Sequence, residues 1–156
     1  MINQLHFQEQ IKTSGGQSKM AYDELRGAYG EEAEKYALNW FNSKGYEAIP
    51  TKEWLGNKWS PENDAKYGDI QIIKNGDITQ RIDVKRAGPN EPDVFYGTIT
   101  KTGASEVFRN DQKAWYLLFN KNMTKYIWVK ATSLRNSQPR NGKFWTTKEV
   151  LHYAEH

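Results

Sequence analysis

The feature that most constrains this sequence is a predicted β-hairpin that carries charge where a buried hairpin needs apolar side chains. The stretch runs from Tyr67 to Ala87 and reads YGDIQIIKNGDITQRIDVKRA. Asn-Gly is a strong signal for a two-residue turn, and β-branched residues lie on both sides of it. The sequence therefore predicts two antiparallel strands joined at Asn75-Gly76.

The register of this hairpin is expected to bring two carboxylates together. Asp69 and Asp83 lie the same number of residues from Gly76, so they should meet at the end of the hairpin far from its turn. Side chains alternate along a strand, which puts Lys85 on the same face as Asp83 and Val84 on the opposite face.

Converging carboxylates raise each other's pKa unless a cation lies between them. Mg²⁺ prefers oxygen ligands and commonly binds carboxylates together with a substrate phosphate, and a nearby lysine can orient water or stabilise developing charge. Asp69, Asp83 and Lys85 therefore predict a metal site for phosphodiester hydrolysis. The alternative is an exposed edge hairpin in which Asp83 and Lys85 are merely solvated.

The remaining elements are predicted in the order helix, strand, hairpin, helix, hairpin, helix. Apolar spacing indicates a main helix that starts near Tyr29 or Gly30 and ends at Lys44, before Gly45. A strand, YEAIPT, and a polar loop over residues 52–66 precede the hairpin. A short helix capped by Ser105 is expected after it.

Two more strands, AWYLLF and KYIWVKA, and a helix capped by Thr146 or Thr147 complete the chain. This order predicts an α/β fold with a central mixed sheet of four to five strands flanked by helices. We expect a single domain over residues 29–156, preceded by an N-terminal arm or helix over residues 1–28.

The distribution of charge is uneven although the net charge is only +3. No Asp or Glu lies between Gln112 and Lys148, whereas that stretch contains many basic residues. They are Lys113, Lys121, Lys125, Lys130, Arg135, Arg140, Lys143 and Lys148. Such a run suits a polyanion such as nucleic acid, with an ordinary solvated surface as the alternative.

Composition excludes several classes of function and location. The sequence contains no cysteine, which excludes disulfides, thiolate nucleophiles and cysteine zinc sites. Its longest apolar run, residues 114–119, is too short to span a bilayer, and the start of the sequence has no signal-peptide pattern. We expect no membrane partner and a cytoplasmic protein, or one in the host cytoplasm if a phage encodes it.

Three segments in order resemble the PD-(D/E)xK nuclease superfamily, which has the restriction-endonuclease-like fold. They are GEEAEKYALNWFNSKGYEAI, then GDIQII, then IDVK, and the resemblance covers roughly residues 29–130. The passage with Gly30, Ala33-Glu34 and Gly45-Tyr46 is similar to Holliday junction resolvases of archaeal type. Departures are Gly68, where many members have proline, and Asp83, where many have glutamate.

The resemblance implies a role for each matching residue. Asp69, Asp83 and the Val84 carbonyl would bind the metal, joined by Glu34 directly or through water, with Glu31 as the alternative acid. Lys85 would orient or help to deprotonate the attacking water. Gln112, on the helix before the strand AWYLLF, would complete the catalytic set.

The implied activity is that of a Mg²⁺-dependent DNA endonuclease, with Mn²⁺ as a substitute, acting on double-stranded or branched DNA. A resolvase needs two sites, so a homodimer is expected. The residues expected to hold phosphates are Lys58, Arg86, Lys101, Arg109 and Lys113. The alternative is a non-catalytic or partner-dependent nucleic-acid-binding protein that retains the nuclease fold.

Two tryptophans in the predicted loop, Trp54 and Trp59, have lysines nearby at Lys52 and Lys58. Exposed aromatic rings beside cations can stack on bases or enter DNA as wedges. The alternative is that both rings cap the hydrophobic core.

Overall fold

The computed structural model describes residues 19–154, with side chains from Leu25 onward except at residues 26 and 104. Residues 1–18 of the predicted N-terminal arm lie outside this range. The α-helices are α1 (Lys19–Ser43), α2 (Thr51–Leu55), α3 (Pro61–Tyr67), α4 (Gly103–Arg109) and α5 (Thr147–Ala154). The strands are β1 (Glu47–Pro50), β2 (Ile70–Lys74), β3 (Asp77–Arg86), β4 (Ile99–Thr100), β5 (Ala114–Phe119), β6 (Tyr126–Lys130) and β7 (Phe144–Trp145). Short 3₁₀ helices cover Gly56–Lys58 and Ala131–Leu134.

The centre of the fold is a five-stranded sheet in the order β1-β2-β3-β5-β6. β3 and β5 are parallel, and the other neighbouring pairs are antiparallel. This confirms the predicted α/β fold with a mixed sheet flanked by helices. Among the helices that the structure describes, none combines the length and apolarity needed to cross a bilayer.

The two faces of the sheet bury separate hydrophobic clusters. On one face, Ala33 and Ala37 of α1 are only 1% exposed and bring the helix close to Ile72 and Ile82. The opposite face is covered by residues of α4, α5 and their connections. Its largest buried side chains are Ile99, Phe108, Tyr116, Leu118, Leu134, Trp145 and Val150.

The helix α1 is longer than predicted. It begins at Lys19, not near Tyr29, and runs through residue 28, the predicted boundary between arm and domain. Gly27 and Gly30 both lie inside it with open space around them. A glycine in a helix costs about 1 kcal/mol relative to alanine but does not end the helix. Gly45, with a φ of 94°, follows the helix end as predicted.

The hairpin of β2 and β3 has the predicted turn. Asn75 and Gly76 have φ angles of 55° and 81°, as a type I′ turn requires. Next to the turn, Lys74 pairs with Asp77.

A β-bulge in the hairpin shifts the register after this turn. Ile73 pairs with Ile78, whereas Ile72 pairs with Gln80, so Thr79 is an extra residue in β3. A one-residue shift exchanges the two faces of a strand. The bulge thus places Ile82 opposite Ile70, and both side chains are buried in the core.

The predicted polar loop over residues 52–66 is wrong, because this segment forms α2, a 3₁₀ turn and α3. Ser60 caps α3: its side chain accepts a hydrogen bond of 3.1 Å from the Asn63 N–H. Pro61 occupies the first turn, where its missing N–H costs nothing. The polar composition of this stretch concealed a normal helix start.

Two helix starts and one small sheet complete the comparison. Helix α4 begins after Thr102, and Ser105, the predicted cap, instead lies at the third helical position of a capping box. Helix α5 starts after Thr146, whose Oγ1 accepts the Glu149 N–H at 3.3 Å, so one of the two predicted caps is confirmed. The two-stranded sheet of β4 and β7 was not predicted.

Candidate active site

The backbone position just before Asp69 is one that only glycine can occupy. Gly68 has a φ of 77°, and a Cβ there would lie 2.8 Å from the Phe108 ring and 2.9 Å from the Ile82 carbonyl oxygen. Proline is restricted to a φ of about −65°, so it cannot replace Gly68. The departure from the proline of the nuclease motif is therefore a requirement of this backbone, and Asp69 follows directly from it.

Asp69 lies where β2 separates from β3. Its N–H donates to the Ile82 carbonyl at 2.8 Å, and its Oδ2 accepts the Val84 N–H at 2.8 Å. The N–H and C=O of one strand residue point to the same side. The Val84 carbonyl therefore faces the same side as the Val84 N–H that binds the Asp69 carboxylate.

Three carboxyl groups meet at this point. The Asp69 carboxyl is within hydrogen-bonding reach of both Asp83, on the same hairpin, and Glu34, on α1. Burial raises the pKa of Asp69 well above its usual range, and the charges of Asp83 and Glu34 raise it further. The structure thus brings the three predicted acidic residues together.

Helix α1 selects which of its acids reaches the site. Burial raises the pKa of Glu34, and the charges of Asp64, Asp83 and Glu31 add to this effect while a hydrogen bond with Asp69 opposes it. Glu31 is exposed one turn earlier. Glu34 is therefore the α1 acid in contact with Asp69, as the sequence predicted.

Lys85 is the cation of the site. Its Nζ lies 3.5 Å from Asp83 Oδ2, and its side chain is 40% exposed. The Asp83 charge raises the pKa of Lys85, more than burial lowers it. Lys85 is therefore an ammonium that can orient or stabilise an anion, and this arrangement does not favour the role of a general base.

The donor set suits a hard divalent cation. It consists of carboxylate oxygens and a backbone carbonyl, the ligands that Mg²⁺ prefers. Within residues 19–154, however, no group of three or more His, Asp and Glu residues is arranged so that it could hold a metal ion. The carboxyl groups of Glu34, Asp69 and Asp83, called the acidic row, therefore have the chemistry of Mg²⁺ ligands without forming a metal centre as they stand.

Gln112 is not on the helix predicted to carry it. Helix α4 ends at Arg109, and Gln112 is exposed in the turn before β5. The β5 residue that pairs with Asp83 is Tyr116, four residues after Gln112 in the sequence. The helical placement of Gln112 is therefore wrong.

Two of the five residues predicted to bind phosphate are buried. The Arg86 side chain is 2% exposed and its Nη1 lies 2.7 Å from Glu32. Arg109 is 6% exposed and its Nη1 donates to Ser105 at 2.8 Å. The predicted phosphate contacts of both arginines are corrected, because their guanidinium groups bind protein atoms. The three lysines of the set, Lys58, Lys101 and Lys113, are exposed.

Sequence reasoning missed Arg81, a β3 residue that links the hairpin to α2, α3 and the turn before β5. Its Nη1 donates to Gln71 at 2.7 Å, and its Nε lies 2.9 Å from an Asp111 carboxylate oxygen. The guanidinium carbon also lies 5.1 Å from the Trp54 ring centroid and 4.8 Å from that of Tyr67. An alternating Arg in β3 was visible in the sequence, but its partners come from distant segments.

One groove of the molecule is lined by aromatic side chains and lies apart from the site carboxyls. It measures about 430 Å³ and lies between α1 and β6, with Trp40, Tyr46 and Trp128 among its lining residues. It includes none of the three site carboxyls. The acidic row lies outside this groove, at the end of the hairpin far from its turn.

Comparisons of the chain with protein-family models, with curated proteins and with solved structures found no match.

Proposed function

We propose that this chain is a Mg²⁺-dependent DNA endonuclease that hydrolyses phosphodiester bonds. The observation that carries the proposal is the row of Glu34, Asp69 and Asp83, with Lys85 beside it. Buried acids with raised pKa values beside a specific charged partner are typical of functional centres. The order of these residues in the sequence also resembles the PD-(D/E)xK nuclease superfamily.

The residues that would hold Mg²⁺ are Asp69, Asp83, the Val84 carbonyl and Glu34. When bound, the ion would lower the pKa of a water molecule and offset charge on the phosphate. The Val84 N–H fixes the Asp69 carboxylate at 2.8 Å before any ligand arrives. Such preorganisation spares the site the energy of reorienting a ligand during the reaction.

Lys85 would act on the phosphate oxygens and the attacking water as a positive charge. Its pKa is raised chiefly by Asp83, so it stays protonated at neutral pH. An ammonium aimed at developing negative charge stabilises the transition state more than the ground state. A general-base role would require this pKa to fall.

The proposed substrate is DNA, double-stranded or branched. The exposed Lys58, Lys101 and Lys113 can each contact a phosphate, and the basic run after Gln112 extends this surface. If the substrate is a four-way junction, two copies of the site are needed and the protein should be a homodimer. A gel-shift comparison of a junction with linear duplex distinguishes these substrates, since equal shifts would count against a resolvase.

The test is nicking of supercoiled plasmid with Mg²⁺, with Mn²⁺ in parallel. We expect cleavage by the wild type and a loss of at least about 100-fold in Asp83→Ala, as for removal of a metal ligand or its direct support. Asp77→Ala is the matched control, because Asp77 is an exposed acid on the same strand. Equal nicking by wild type and Asp83→Ala would contradict the proposal.

A second candidate function is a binding protein that keeps the fold without catalysis, or that cleaves only with a partner. The acidic row speaks against simple loss of catalysis, since Asp69, Asp83, Glu34 and Lys85 are all retained. This rival predicts DNA binding without nicking, and binding that is the same in Asp69→Asn. Activity that appears only on addition of a cell extract would favour the partner-dependent form.

A further inference from the structure

Trp59 is an exposed ring that is held in one orientation. Trp59 is 38% exposed, which is high for a tryptophan. The indole N–H donates to Asp64 Oδ1 at 3.0 Å, and Lys52 Nζ lies 4.7 Å from the ring centroid. The ring is thus fixed by polar contacts while part of it faces solvent.

The other tryptophan of the same segment is packed. The Trp54 ring centroid lies 5.3 Å from that of Tyr67, edge to face, and 5.1 Å from the Arg81 guanidinium carbon. Trp54 therefore stabilises α2 and α3 against the hairpin. The difference between the two rings decides between the alternatives left open by the sequence: Trp54 packs against the fold, and Trp59 is presented.

The segment that carries Trp59 is attached to the acidic row at both ends. The Thr51 N–H donates to the Asp69 carbonyl at 2.8 Å, and the Gly68 N–H donates to the Asp64 carbonyl at 3.1 Å. Asp64 is thus bonded to Trp59 through its side chain and to the residue before Asp69 through its backbone. The charge of Asp64 also raises the pKa of Glu34, so Asp64 links Trp59 to the acidic row, and Trp59 marks the rim of the site.

The cations around this ring suit the sugar-phosphate backbone. Lys52 and Lys58 are both exposed, and both lie in the segment that carries Trp59. A planar ring with lysines beside it is the arrangement by which proteins hold single-stranded nucleic acid, the ring on a base and the cations on phosphates.

This inference rests on the proposed nuclease function. We propose that Trp59 stacks on an unpaired nucleobase next to the phosphate to be cleaved, so the preferred substrate has a single-stranded or branched segment at that point. In intact duplex both faces of each base are stacked on neighbours, and a fixed ring at the rim has no free base to contact. An unpaired base offers its face without the energy of unstacking.

The experiment measures binding in EDTA to two labelled DNAs, a linear duplex and the same duplex with a single-stranded flap. The flap carries 2-aminopurine, whose fluorescence falls when it stacks on an indole. We expect the wild type to prefer the flap and to quench the probe. Trp59→Ala should bind the flap roughly tenfold more weakly, as loss of one stacked base predicts, without changing its affinity for duplex.

Two further variants separate stacking from folding. Trp59→Phe keeps an aromatic face but loses the indole N–H, so it should retain part of the preference for the flap. Trp40→Ala removes another exposed tryptophan, 43% exposed in the groove between α1 and β6, and should bind both DNAs as the wild type does. Thermal unfolding of each variant checks that the fold persists.

The outcomes distinguish this inference from the proposed function. If Trp59→Ala keeps the flap preference and the quenching while the wild type nicks plasmid, stacking is wrong and the nuclease proposal stands. If Trp59→Ala and Trp40→Ala weaken flap binding equally, the effect is not specific to the rim and stacking is again wrong. If the wild type binds neither DNA and nicks no plasmid, both proposals are overturned.

Discussion

Two charged clusters lie side by side on β3 and have opposite compositions. Asp83 belongs to the acidic row and Arg86, three residues later, belongs to a buried ion pair. Each cluster takes one acid from α1, Glu34 in the row and Glu32 in the pair. The row has three carboxyl groups and one ammonium, whereas in the pair one guanidinium meets one carboxylate.

The pair is satisfied by its surroundings. Arg86 Nη1 donates to Glu32 at 2.7 Å, and its Nε and Nη2 donate to the Lys121 carbonyl at 2.9 and 2.7 Å. The guanidinium carbon also lies 3.6 Å from the Tyr29 ring centroid. In the row, by contrast, burial and neighbouring charge raise the pKa values of Asp69 and Glu34. Buried charges of opposite sign are thus stabilising where they balance. An excess of buried carboxylates instead indicates a site that needs a cation.

The largest effect should come from breaking the balanced pair. Arg86→Ala leaves the Glu32 carboxylate, only 15% exposed, without its arginine, and it removes the two guanidinium donors to the Lys121 carbonyl. We expect the free energy of unfolding in urea to fall by about 3–5 kcal/mol.

The control for this change is Arg135→Ala, an exposed arginine whose loss should alter stability by no more than about 0.5 kcal/mol. Adding Glu32→Gln to Arg86→Ala should restore part of the loss, because it removes the buried charge. A loss from Arg86→Ala as small as that of the control would mean that the pair is not structural.

An intermediate effect on stability is expected at Gly97, which packs against the β3 backbone between the two clusters. A Cβ at Gly97 would lie 2.5 Å from the backbone of both Lys85 and Arg86. Gly97→Ala must therefore push β3 away and should cost about 1–3 kcal/mol, as overpacking does. Urea unfolding gives the stability, and plasmid nicking should fall with it because Lys85 moves. Gly103→Ala, where a Cβ meets nothing within 4 Å, is the matched control and should change neither quantity.

The smallest effect concerns the unbalanced row without metal. The pKa values of Asp69 and Glu34 are raised in the folded protein, so the folded state holds these protons more tightly than the unfolded state. Their contribution to stability is complete below about pH 4, the pKa of a free carboxyl, and is lost as pH rises through the raised values. Asparagine has no carboxyl proton to lose, so Asp69→Asn avoids the part of this loss of stability that comes from Asp69. It should stabilise the metal-free protein at neutral pH by on the order of 1 kcal/mol.

Thermal unfolding in EDTA across this pH range measures the difference between the two proteins. It should favour Asp69→Asn increasingly as pH rises, whereas Asp77→Asn, an exposed acid on the same hairpin, should track the wild type. Added Mg²⁺ should reverse the order at neutral pH by binding the wild type more strongly. A variant less stable than the wild type at every pH in EDTA would show that the row is not repulsive.

Local patterns predicted the hairpin, the mixed sheet and the acids of the row. Asn-Gly fixes a two-residue turn, and alternation of apolar and polar residues assigns the faces of β3. The segment over residues 52–66 was predicted as a loop because it is polar, although Ser60-Pro61 is a normal helix start. Gln112 was placed on a helix because a run of helix formers does not say where α4 ends.

The register shows how a correct result can depend on an unseen feature. Asp69 and Asp83 are equally far from Gly76 in the sequence, which suggested that they face each other. Regular pairing from the turn, where Lys74 pairs with Asp77, would instead place Asp69 opposite Ile82. The extra residue Thr79 shifts this pairing by one residue. No local signal distinguishes a bulge at Thr79 from regular pairing, because its position depends on which residues the core buries.

By itself the sequence determined which residues carry charge on β2 and β3, where the hairpin turns and which acid follows Gly68. Only the tertiary structure decided which charged side chains are buried and which partners they have. It turned Glu32 and Arg86 toward each other in the interior and brought Glu34 to Asp69 from a separate helix. It also left Trp59 exposed while Trp54 packs against Tyr67. The reason is physical: alternation and turn propensity act between neighbours in sequence, whereas desolvation and charge pairing depend on distances between segments that only folding brings together.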